Sequence, residues 1–155
     1  MNILRRDFLK GSAISILALA GSGLLKPSRV LAADWAQTAF NAKNSQDAIK
    51  GLGLGNPIES RDIQIKAPDI AENGAKVEIE IQSLIPDTRS LSVFADNNPM
   101  PLVATAEFFP PLLPYWRLPM KLAESTRIRV VAKTASGKTF IATQEIKVTL
   151  GGCGG

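Results

Sequence analysis

Histidine is absent from the 155 residues, and cysteine occurs once, at position 153. Without imidazole there is no His-based catalytic triad, no histidine acid or base, and no histidine-bearing zinc site. One cysteine forms no intrachain disulfide, and with no second thiol a Cys-x-x-Cys redox pair is ruled out. Other catalytic signatures are missing too. The glycines from Gly51 to Gly55 lack the lysine and following helix of a phosphate-binding loop. Glu78 and Glu80 stand two apart on the outer side of an alternating segment, which is the pattern of a solvated strand face rather than of paired catalytic carboxylates. These absences leave no active site of the enzyme kind, and they imply neither a metal nor another cofactor.

An excess of one charge is also missing from most of the chain. The formal charge is +4, with eighteen Lys and Arg against fourteen Asp and Glu. Five of the basic residues (Arg5, Arg6, Lys10, Lys26, Arg29) and one acidic residue (Asp7) fall in the first 32 positions, so thirteen of each sign remain beyond them. A near-neutral remainder has no electrostatic footprint for nucleic acid.

Those first residues read as an export signal. A basic segment containing Arg5-Arg6-Asp7-Phe8-Leu9-Lys10 precedes an apolar run from Gly11 to Leu25 and small residues around Ala32-Ala33. The run is short and broken by glycine and serine, which argues for a cleaved twin-arginine (Tat) signal over residues 1–32 and against a membrane anchor. The working protein is then periplasmic. Residues 33–150 suffice for one domain with a core.

In that domain, Trp35, Ala36, Ala39 and Phe40 after Asp34-x-x-Gln37 predict a capped helical turn. A second turn is predicted to begin with Ser45 as its N-cap, run through Ala48, Ile49 and Leu52, and stop at Gly51, Gly53 and Gly55. Both are expected to cover one end of a sheet. From Arg61 onward the apolar period is two: Ile63 and Ile65; Val77, Ile79 and Ile81; Leu91 and Val93; Leu102, Ala104, Ala106 and Phe108; Trp116, Leu118, Met120 and Leu122; Ile128, Val130 and Ala132; Phe140, Ala142, Ile146, Val148 and Leu150. Turn residues separate these runs at Glu72-Asn73-Gly74, Pro86-Asp87, Asp96-Asn97-Asn98-Pro99 and Ser136-Gly137. Seven strands without intervening helices predict an all-β, immunoglobulin-like antiparallel β-sandwich with a short N-terminal helical segment, a small closed barrel being the alternative. The stretch Phe108-Phe109-Pro110-Pro111-Leu112-Leu113-Pro114-Tyr115-Trp116 is the most apolar after the signal. Its prolines make it a loop or edge crossing, and its aromatics either fold back into the core or form a partner surface, the latter favoured.

The chain ends in Gly151-Gly152-Cys153-Gly154-Gly155. Glycines on both sides of the sole thiol, at a terminus, predict a flexible arm over residues 151–155. At roughly 3.3–3.6 Å per residue, Cys153 reaches about 10 Å beyond Leu150. In an oxidising compartment an exposed lone thiol either carries something covalently or pairs with another chain. A binding or assembly module using Cys153 for an intermolecular disulfide is therefore the second reading, and pairing of two copies through Cys153 is chemically open to the first.

Lys147-Val148-Thr149-Leu150 followed by the pentapeptide, with the twin arginines and the β-rich body, resembles the SoxY family of the periplasmic thiosulfate-oxidising Sox system. The resemblance implies a sulfur carrier that is not itself an enzyme, with sulfur intermediates held covalently on Cys153 and Gly151, Gly152, Gly154 and Gly155 forming the carrier arm. It also implies a SoxZ partner subunit and transient docking to a SoxAX-type haem enzyme, a SoxB-type hydrolase and a SoxCD-type dehydrogenase.

Overall fold

A computed structural model of the chain describes residues 37–151. The export signal, the expected cap at Asp34, and Gly152 to Gly155 lie outside the described residues. Helices α1 (Gln37–Phe40) and α2 (Ser45–Gly51) precede strands β1 (Ile58–Glu59), β2 (Ile63–Lys66), β3 (Ile70–Ala71), β4 (Val77–Ser83), β5 (Thr88–Ala95), β6 (Leu102–Glu107), β7 (Tyr115–Met120), β8 (Thr126–Thr134) and β9 (Thr139–Val148).

The strands form two sheets. One has the order β1-β9-β8-β5-β6, with β3 also paired to β9, and the other has the order β2-β4-β7. Each sheet ends in open edges, so the domain is an immunoglobulin-like sandwich and not the closed barrel. The alternating residues meet between the sheets: Ile79 and Ile81 of β4, Leu91 and Val93 of β5, and Ile128 and Val130 of β8 belong to one buried cluster with Met120, Leu122 and Ile146. Trp116, Leu118, Phe140, Ala142 and Val148 pack against it. Pro119 sits inside β7, an edge strand, where a missing N–H breaks no ladder on its open side.

Five expectations are corrected. The antiparallel plan misses β1 and β3, which pair parallel to β9 at its two ends, Ile58 opposite Phe140 and Ile70 opposite Lys147; two-residue strands are too short to show a period. The helices cover a face, not an end. Ala39, Ala48, Ile49 and Leu54 bury Phe94, Leu102, Val131 and Ile141 on the outer side of the larger sheet, four side chains that would otherwise each forgo about 1.5–3 kcal/mol of burial. The N-cap of α2 is Asn44, whose side chain accepts from the Asp47 amide at 2.8 Å. Ser45 is instead the first helical residue, and its hydroxyl donates to Asp96 at 2.6 Å. The run from Leu102 to Phe108 does not keep one face, because a register shift skips Val103 between the pairs Phe94–Leu102 and Val93–Ala104. Leu102 thus faces the helices while Phe108 joins the inter-sheet core. Leu150 lies beyond the end of β9 and is 64% exposed.

The glycines at the end of α2 divide the work. Gly53 has φ of 64°, the left-handed residue that follows the C-cap Leu52. Gly51 is the last helical residue, and a Cβ there would lie 2.9 Å from the Ala39 backbone, so it permits α1 and α2 to touch.

Candidate functional site at the root of the C-terminal arm

Of the five predicted site residues, Gly151 alone is described, and it is exposed; Gly152, Cys153, Gly154 and Gly155 lie outside the described residues. What the structure defines is how the chain reaches them. Strand β9 ends at Val148, yet the next two residues stay fixed. The Lys147 amide donates to Asp69 O at 2.9 Å, Thr149 donates from its amide to Ala71 O at 3.0 Å, and its hydroxyl donates to Glu72 O at 2.8 Å. The Gly74 amide donates to Leu150 O at 2.7 Å, and Gly74 O in turn accepts from Leu122 at 2.8 Å. On the other side the Val148 amide donates to Ser125 Oγ at 2.9 Å. The root is therefore clamped between residues 69–74 and 121–125.

The 121–125 side is itself braced by the turn after β5. Asn98 accepts from the Ala123 amide and donates to Lys121 O, both at 2.9 Å, and Asn97 donates to Ser125 O at 2.8 Å. A Cβ built on Gly151 would run into the Ala123 carbonyl oxygen. Glycine is thus required at the first arm position by close approach.

An ion pair ties this end of the larger sheet to the helices. Arg129 donates to both carboxylate oxygens of Asp96, at 2.7 and 2.8 Å, and Ser45 of α2 adds a third bond. Burial raises the Asp96 pKa, but the hydrogen bonds from Arg129 and Ser45 with the guanidinium charge outweigh it, leaving it below the ordinary carboxylate value. Glu80, one of the two strand carboxylates, pairs with Arg117 across the β4–β7 ladder, and the Arg117 hydrogen bond lowers its pKa. Glu78 pairs with Lys76. Both are surface pairs, in line with a solvated face. Among the described residues no group of three His, Cys, Asp or Glu could hold a metal, and no helix is long and apolar enough to cross a membrane.

Sequence reading pointed to the arm but missed its clamp, since most of the bonds that hold the root come from main-chain groups that every residue has. Asn97 and Asn98 carried a usable signal as two adjacent amides in a turn, though turn chemistry alone accounts for them equally well.

Fold and terminus together define a rigid immunoglobulin-like sandwich whose last strand leads, through a clamped root, into a glycine-flanked cysteine segment. The family described as sulfur oxidation protein SoxY matches residues 50–153. The chain belongs to the SoxY family. It is similar to the sulfur carrier protein SoxY from Chlorobium limicola f thiosulfatophilum, at 38% identity over 68% of this chain and 96% of that one, with a TM-score of 0.60. It shares a fold, at 17% identity and a TM-score of 0.50 over 57% of this chain and 80% of that one, with a superoxide reductase (neelaredoxin) from Ignicoccus hospitalis. No curated protein matches it.

Proposed function

We propose that the protein is a periplasmic sulfur carrier that holds sulfur intermediates covalently on Cys153 and presents them to partner enzymes. The observation that carries this reading is a sole cysteine set among four glycines directly after a clamped strand end. Family membership and the likeness to a sulfur carrier support it.

Loading joins the Cys153 thiolate to the terminal sulfur of thiosulfate. The S–S bond forms as two electrons leave to an oxidising haem partner, giving Cys–S–S–SO3⁻. Hydrolysis of that conjugate by a partner takes one water, releases sulfate and two protons, and leaves a persulfide on Cys153. The carrier supplies the sulfur nucleophile, and acid, base and oxidant come from the enzymes. Ordering each backbone residue costs about 1–2 kcal/mol, so seating the whole arm costs several kcal/mol and keeps docking brief. The signal over residues 1–32, and a SoxZ-type subunit as the standing partner, belong to the same proposal.

The test is intact mass after incubation with thiosulfate and the oxidising partner. A thiosulfate adduct in the wild type that is absent from Cys153→Ser is the expected result. A stable disulfide-linked species without any adduct would instead favour the assembly-module reading.

A further inference from the structure

We infer that the end of the sandwich formed by Leu84 and the crossing from Phe109 to Pro114 seats a constant protein subunit, one that meets it with an apolar face. The inference rests on the carrier reading for the identity of that subunit, the SoxZ-type partner.

The crossing does not fold back into the core. Phe108 is buried, but Phe109, Leu112, Leu113 and Tyr115 are 62%, 66%, 75% and 47% exposed, and Leu84 beside them is 53% exposed. Leu84, Leu112 and Leu113 line one groove with Pro111 and Pro114, floored by Ile85. The backbone that carries them is tied down: Ser83 donates to Pro114 O at 3.0 Å, Phe108 to Arg89 O at 2.7 Å, and Leu112 to Phe109 O at 2.9 Å. These side chains are held in water by a fixed loop. At roughly 100 Å² for each large apolar side chain, Leu84, Phe109, Leu112 and Leu113 present about 400 Å², within the range of a monomer's largest patch and about half of one partner's share in a standard interface of about 800 Å², while Tyr115 turns to the outer face of the smaller sheet beside Lys66 and Glu80.

Placement then selects the occupant. Ser90 pairs with both Glu107 and Lys133, and Lys133 pairs with Thr139, so the crossing lies where β9 begins. The arm leaves where β9 ends, ten residues on, which is about 30 Å away. Cys153 stands three residues beyond Leu150, about 10 Å of chain, so this surface is well removed from the carrier thiol. An enzyme gripping Cys153 has no need to reach it. No charged residue occurs from Phe108 to Trp116. Asp87 and Arg89 stand on the β5 side of the groove, so an apolar crossing is bordered by charge, the arrangement of an apolar centre with a polar rim that fits a lasting contact better than a transient encounter.

The full chain co-expressed with its SoxZ-family subunit is the system to test, by size exclusion with light scattering. Leu113→Asp is expected to weaken the heterodimer by about thirtyfold or more without moving the melting temperature, while Met100→Asp, at the exposed turn on the arm's end, leaves it intact. Phe109→Ser serves as the second variant if Leu113→Asp does not fold. A heterodimer indifferent to both crossing variants overturns the inference, as does one broken by Met100→Asp. Self-association of the wild type that Leu113→Asp abolishes, with heterodimer unaffected, overturns it in favour of a second copy. Intact mass on the same samples keeps the two ideas apart: a heterodimer that needs Leu113 but never takes thiosulfate supports the docking surface and ends the carrier reading.

Discussion

Gly151 shows how one residue can be legible for one reason and required for another. In the sequence it is the first of four glycines around a cysteine, and flexibility is the natural inference. In the structure its missing Cβ is what lets the chain pass the Ala123 carbonyl. Gly151→Ala therefore has to leave the clamp at a different angle, and the arm with it. Since small misplacements of a reacting group cost large factors in rate, we expect Cys153 loading by the oxidising partner to slow by about tenfold or more. The fold should keep its melting temperature, because the site is exposed and lies after the last strand. Single-turnover loading followed by intact mass checks this, and wild-type rates would remove any positioning role from the root.

At the scale of elements, legibility followed side-chain periodicity. β4, with Val77, Ile79 and Ile81 alternating against Glu78 and Glu80, announces its inward face, and the sandwich follows from several such strands. β1 and β3 are too short to announce anything. The Leu102–Phe108 run misleads because a bulge changes which residues face inward without changing composition. The Asp96–Arg129–Ser45 cluster was equally hidden, since its partners are 33 and 51 residues from Asp96. It joins α2, the end of β5 and β8, and it carries a pH dependence. Asp96 in the folded protein has a pKa below its ordinary 3.8, so its contribution is fully present above that value and is lost as pH falls through the folded pKa. Asp96→Asn keeps the shape but removes the charge. It should cost about 2 kcal/mol at neutral pH, and the gap to wild type should narrow in acid, as the pH falls below 3.8 and through the folded pKa. Thermal melts at neutral pH and in acid decide it, and a gap that stays constant would show that the ion pair contributes nothing.

The whole molecule separates its tasks along its length and between its two ends. Basic charge is concentrated in residues 1–32, whereas the remainder carries thirteen residues of each sign. The remainder therefore has no net charge to draw it to nucleic acid, and on the proposed reading transport rests on the leading segment. Arg5→Lys combined with Arg6→Lys preserves every charge, so an effect of that pair cannot arise from lost electrostatics. We expect the doubly substituted precursor to stay in the cytoplasm at full length, while the wild type is found in the periplasm shortened by about 32 residues. Fractionation with intact mass reads both compartment and cleavage. The melting temperature of the domain should be the same in both, because the sandwich is built from residues 37–151. Periplasmic delivery of the Lys-Lys form at wild-type levels would remove the twin-arginine route. It would leave the carrier chemistry to be tested by the adduct alone.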